Sequence, residues 1–154
     1  MSQLAALFQQ EVTLLDHLLE LLGQEREVLT TGSPEELDEI SRKKLDLLAL
    51  IEQASQSRMQ TLETLSAPAS ADKLPVWLAN HPEQGIALQA WQMLIKLTAD
   101  AKQAHDTNGL LLDALLRQTN DALAILTQYQ QQHSLYGKDG QANASLGNRI
   151  VDSA

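Results

Sequence analysis

Residues 2–37 read SQLAALFQQEVTLLDHLLELLGQEREVLTTGSPEEL, and the spacing of their apolar positions decides the fold class. Leu7, Leu14, Leu21 and Val28 recur every seven residues, and Phe8, Leu15, Leu22 and Leu29 form a second set directly beside them at the same spacing. Leu4 and Leu18 widen the stripe. Seven residues are close to two turns of α-helix, so each set lines one side of a helix spanning about residues 2–30. One narrow seam would suffice for a two-stranded coil. Two adjacent seams demand more than one packing partner, which points to an all-α bundle of long antiparallel helices with coiled-coil-like packing.

The end of the same stretch supplies the first turn. In TTGSPEEL, Gly32 ends the first helix, Ser33 is the N-cap of a second, Pro34 takes the N1 position where its missing N–H costs nothing, and Glu36 at N3 completes a capping box. The second helix runs from 34 to about 65 and is expected to bury Leu37, Ile40, Leu47, Leu48, Ile51, Met59, Leu62 and Leu65. So short a connection makes the two helices antiparallel neighbours.

Residues 66–85 contain Pro68, Pro75 and Pro82 and cannot form one continuous helix. A short additional helical piece around Trp77 is expected, with Trp77 and Leu78 either a lid over one end of the bundle or an exposed patch. A third long helix, about 86–132, carries Trp91, Leu94, Ile95, Leu115, Ala122, Leu126 and Tyr129. Its middle, TADAKQAHDTNG (98–109), reduces the apolar stripe to Ala99, Ala101 and Ala104 and ends on Asn108 and Gly109. Both are poor mid-helix residues, so the helix either bends there or lets another chain approach closely. The bundle thus occupies about 1–133. HSLYGKDGQ (133–141) then places Tyr136 in a turn, and 134–154 is expected to be turn and flexible tail. Tyr136 either folds back near Tyr129 and His133 or is held out for a partner.

Composition agrees and excludes several classes. Thirty leucines against 3% aromatic residues and 7 glycines are the composition of long helices rather than of strands. The absence of cysteine removes disulfides, thiolate nucleophiles and thiolate metal sites, and fits a reducing, cytoplasmic compartment. No apolar run approaches the roughly 18 residues that a bilayer span needs, and MSQLAALFQQ has no basic start, so no membrane insertion is expected. Net charge is −9, with nine acids and only Arg26 as a base in residues 1–40, and the lone basic triplet is Arg42, Lys43 and Lys44. Such a surface repels a phosphate backbone, and no nucleic acid is expected. His17, His81, His105 and His133 form no ligand pair, and no nucleotide or acyl-transfer motif occurs, so neither metal nor cofactor is expected. His105, followed by Asn108 and Gly109, leaves open a histidine phosphotransfer bundle, and a passive structural coiled coil is a further alternative.

The most informative stretch follows Gly109. Leu110, Leu111, Leu112, Ala114, Leu115, Leu116, Ala122, Leu123, Ile125 and Leu126 cover roughly 200° of a helical wheel, against the ~100° one core face requires. The surplus is covered by the other helices and the Trp77 segment, by a second subunit in a homo-oligomer, or by a client.

TNGLLLDALLRQTNDALAIL (107–126), SLYGKDGQ (134–141) and, less specifically, SRKKLDLLALIEQASQSR (41–58) resemble the FlgN-type flagellar export chaperones. The resemblance implies a non-enzymatic, substrate-specific chaperone of the flagellar type III export pathway. Its partners would be the amphipathic C-terminal helices of hook-associated (hook-filament junction) proteins and the cytoplasmic domain of the export gate. Asn108, Gly109, Leu111 and Leu112 match the family's helix motif and, with Leu115, Leu116, Leu123 and Leu126 of the surplus face, form the expected client-binding surface. Tyr136 matches the family's turn tyrosine, and Leu135, Tyr136 and Gly137 are the implied gate-docking residues.

Overall fold

The computed structural model describes residues 2–136, with side chains from 2 to 133. Four α-helices follow one another: α1 (Gln3–Thr31), α2 (Pro34–Thr64), α3 (Leu74–Ala79) and α4 (Ala87–Tyr136), with a 3-10 turn at Pro82–Gln84 before α4. No strand occurs among the described residues, and the all-α expectation holds. The chain divides into two units, Met1–Leu111 and Leu112–Ala154.

In the first unit α1 is the central element, and both of its seams are used. Phe8, Leu15 and Leu22 are buried with Leu62 of α2, Leu74 and Leu78 of α3, and Ala87, Ala90, Trp91, Leu94, Leu97 and Ala101 of α4. Leu21 and Val28 join Ile40 of α2 in a second cluster, with Leu37 and Leu47 packed against it. Large side chains bridge α1 and α4, the Phe8 and Trp91 rings lying 5.3 Å apart in a tilted pair. The α1–α2 turn follows its sequence signature. Gly32 has φ 78° and donates its N–H to Val28 O, while the Ser33 hydroxyl accepts from the Glu36 N–H at 3.4 Å with Pro34 opening α2.

One expectation needs correction. Leu48, Met59 and Leu65 are exposed, not core, because α2 buries only a narrow stripe, Ile40, Ala54 and Leu62, and those three leave it to one side or past its end. Ile95 of α4 is likewise exposed, flanking the buried Trp91 and Leu94.

Paired contacts set the helix directions. Arg58 Nε donates to Glu11 Oε2 at 2.7 Å and Lys44 Nζ to Glu25 Oε2 at 2.8 Å, so rising number on α1 meets falling number on α2 and the two are antiparallel. Ser2 Oγ donates to Gln84 O, and Asn108 Nδ2 to Glu25 Oε1, at separations of 82 and 83 residues, so α1 and α4 run parallel. A parallel return needs a crossing, and residues 65–86 provide it. Ser66 at φ 54° ends α2, Leu74 and Leu78 bury one face of α3, and Trp77 stacks on His81 with ring centroids 3.9 Å apart. The buried Leu78 and half-buried Trp77 make this segment a cover for the core.

Glu11 occupies a seam position and is 3% exposed. Burial pushes its carboxyl above the ordinary glutamate value, while the hydrogen bond and charge of Arg58 pull it back. Arg58 also donates to Ser55 Oγ and lies 5.4 Å from the Trp91 ring centroid. Because the folded-state value is raised, the folded chain binds the proton more tightly than the unfolded chain, and stability falls as pH rises through the window above the ordinary value. Removing the partner with Arg58→Met should cost about 3 kcal/mol at pH 8 and clearly less near pH 4.5, where the carboxyl takes up its proton. Urea midpoints at the two pH values check this; an equal loss at both would mean Arg58 acts through packing alone.

Candidate functional site

Along α4 the apolar stripe keeps one helical face while its environment changes. Ala87, Ala90, Trp91, Leu94, Leu97 and Ala101 are buried, and Asn108 is the last buried residue among those described. Leu112, Leu116, Thr119, Leu123 and Leu126 continue the stripe at steps of four, three, four and three, and from 112 to 133 every residue is exposed. The leucines are 40%, 53%, 55% and 57% accessible at 112, 116, 123 and 126. An exposed apolar stripe of this length on a helix with few charges makes it the candidate site. Its one polar member is internally satisfied, since the Thr119 hydroxyl donates to Leu115 O at 2.9 Å. Asp113, Asn120 and Thr127 line one edge of the stripe, and Leu115, Ala122 and Tyr129 the other.

The sequence-derived site residues separate accordingly. Leu112, Leu115, Leu116, Leu123 and Leu126 share the exposed face of the second unit. Leu111 is half-buried and Gly109 exposed, with open space around its α-carbon. α4 passes through both 108 and 109 as one uninterrupted helix. Asn108 does not lie on a contact surface: it is 3% exposed, and its amide donates to Leu22 O and to Glu25 Oε1, each at 2.9 Å. An asparagine amide has two donors, and here both are used to hold α4 against α1. His105 is exposed. Leu135 and Tyr136 stand on the last turn of α4, where a non-helical turn was expected; their side chains, and Gly137, lie outside the described residues.

Sequence reasoning missed Glu25 and Lys44, which with Asn108 join three helices in one buried network. The signal was available. Glu11 and Glu25 sit at seam positions, four residues after Leu7 and Leu21, where an apolar residue is expected, and a charge on a core stripe asks for a partner. Among the described residues no cluster of His, Asp and Glu could hold a metal ion, and no helix is long and apolar enough to cross a membrane.

The sequence profile of a family described as "FlgN protein" matches residues 1–144. Three proteins named flagella synthesis protein FlgN illustrate the similarity. That of Yersinia enterocolitica is 28% identical over 145 residues, covering 92% of this chain and 91% of its own. That of Proteus mirabilis is 30% identical over 152 residues, covering 95% and 94%. That of Salmonella typhimurium is 26% identical over 147 residues, covering 94% of each. No solved structure matches the chain.

The Asn108 network yields a direct test. Asn108→Asp would set a second carboxylate against Glu25 and the Leu22 carbonyl, with no donor between them, and should cost about 3 kcal/mol at pH 8 and less at acid pH, where a shared proton restores a donor. Asn108→Ala, which only deletes the donors, should cost about 1–3 kcal/mol with little pH dependence. Denaturant unfolding of both variants decides the matter; no loss in either would remove Asn108 from the list of packing residues.

Proposed function

Because the chain belongs to the FlgN family and leaves the leucine stripe of α4 uncovered, we propose that it is a substrate-specific export chaperone for hook-associated proteins. The stripe is the observation that carries this reading. A client segment that will later form a helical junction in the flagellum is amphipathic, and before assembly its apolar face needs a cover. A helix bearing leucines at 112, 116, 123 and 126, with Leu115 and Tyr129 along one edge, offers the complementary ridge. Burying such a surface gains on the order of 10 kcal/mol gross from water exclusion, much of it offset by lost freedom on association. The net affinity is moderate, as suits a chaperone that must release its cargo.

In this reading Leu111 marks the start of the client surface, Leu135, Tyr136 and Gly137 form the contact with the export gate, and chaperone and loaded complex work in the cytoplasm. The protein contributes binding and delivery, with no bond made or broken. Asn108 does not touch the client, since its amide is committed to α1.

Leu112→Asp combined with Leu116→Asp should abolish co-purification of a hook-associated client and leave the helical circular dichroism intact, because both residues are already exposed. Loss of helix content would instead place them in the core and sink the proposal. The stripe and its edges carry a single charge, Asp113, so client affinity should change less than about threefold between 50 and 500 mM salt. Tyr136→Ala should weaken binding to the gate's cytoplasmic domain by roughly 30-fold while leaving client-peptide affinity unchanged. The phosphotransfer alternative makes the opposite demand, that His105→Gln abolish function; normal export in that variant removes it.

A further inference from the structure

We infer that, without a client, the α4 stripe is covered by the same stripe of a second copy of this chain, in an antiparallel pair whose two-fold axis passes close to Thr119. Three observations carry this, all from residues 112–129. The seam Leu112, Leu116, Thr119, Leu123 and Leu126 has leucines on both sides of one central small residue, so reversing the helix end for end lays leucines against leucines. Thr119 does not interrupt the seam, because its hydroxyl is bonded within its own helix to Leu115 O and needs no polar partner across the seam.

The edges select the direction. A two-fold axis perpendicular to both helices brings like edge to like edge, so the apolar edge Leu115, Ala122 and Tyr129 meets its own copy, and the polar edge Asp113, Asn120 and Thr127 meets its own copy. A parallel pair would set each apolar edge against a polar one. The charges Arg117 and Asp121 lie on the back of the helix, so two strongly acidic chains can meet here without facing like charges across the seam.

Area is sufficient as well. Leu112, Leu115, Leu116, Leu123, Leu126 and Tyr129 are between 37% and 59% exposed. They offer roughly 600 Å² of accessible side chain per copy, or ~1,200 Å² in a symmetric pair, above the about 1,000 Å² that a specific interface requires. The pairing rests on the same stripe as the proposed client site, and it gives that site a regulation: a client helix binds by displacing the second copy, so the leucines are never left bare.

The test uses the full chain, whose lack of cysteine makes single-cysteine variants unambiguous. Sedimentation equilibrium at micromolar concentration should give twice the chain mass, and Leu116→Asp should halve it with helix content unchanged. A short bifunctional maleimide should link two copies of Thr119→Cys, which face each other across the axis. It should fail to link two copies of Leu112→Cys, which an antiparallel pair holds roughly 20 Å apart along the helices. Linking at 112 as readily as at 119 would overturn the antiparallel pair. A monomer at micromolar concentration would overturn pairing altogether. Adding a synthetic amphipathic peptide from the C-terminus of a hook-associated protein should lower the mass to one chain plus peptide and suppress linking at 119. A monomeric chain that still binds that peptide would refute this inference and leave the chaperone function standing. A paired chain that ignores the peptide would support the pairing and refute the function.

Discussion

The first unit depends on one constraint: α1 carries two apolar seams and must bury both. A helix with one seam is satisfied by one neighbour, but Phe8, Leu15 and Leu22 need α4 while Leu21 and Val28 need α2. The tight turn at Gly32 and Ser33 supplies α2 at once and antiparallel. α4 must then come from further along the chain, and it arrives parallel to α1 only because residues 65–86 carry the chain between one end of α2 and the start of α4. That connection is itself core-forming, since Leu74 and Leu78 are buried in the main cluster.

Leucine seams fix which faces meet but hold their register weakly, because a slip of seven residues matches leucine to leucine again. The buried charges remove that degeneracy. Glu11 and Glu25 lie fourteen residues apart on α1, and Arg58 and Lys44 lie fourteen apart on α2, so both pairs close in a single alignment. A seven-residue slip would strand four charges in or near the core, at several kcal/mol each. The pairs add little net stability in the correct alignment, where desolvation offsets attraction, and Glu11 shows this in its raised carboxyl pKa. Their contribution is to make the wrong alignments costly. Asn108 extends the same logic to α4 through Glu25.

The candidate site follows from where that packing ends. Up to Asn108 the stripe of α4 has partners in the first unit, and from Leu112 the same face is exposed. The stripe thins to Ala101 and Asn108 as that packing ends, and leucines resume after it. The exposed stripe is a core face without its core, and its chemistry is plain apolar contact.

Much of this was legible in the sequence. Two seven-residue sets side by side on residues 2–30 require a bundle whatever the neighbours are, and Gly32, Ser33 and Pro34 announce a helix turn by local stereochemistry alone. The three prolines of 66–85 exclude one continuous helix there, and the apolar face beyond Gly109 is broader than one core requires. Other features depend on distance in space rather than along the chain. Asn108 and Gly109 read as a weak point of the helix, yet the helix passes through, because the Asn108 amide is held by groups 83 and 86 residues away. Leu48, Met59 and Ile95 fit the helical period as well as their buried neighbours and are nonetheless exposed. Periodicity shows which side of a helix is apolar, but only the positions of the other helices decide how much of that side is covered, and how much remains for a partner.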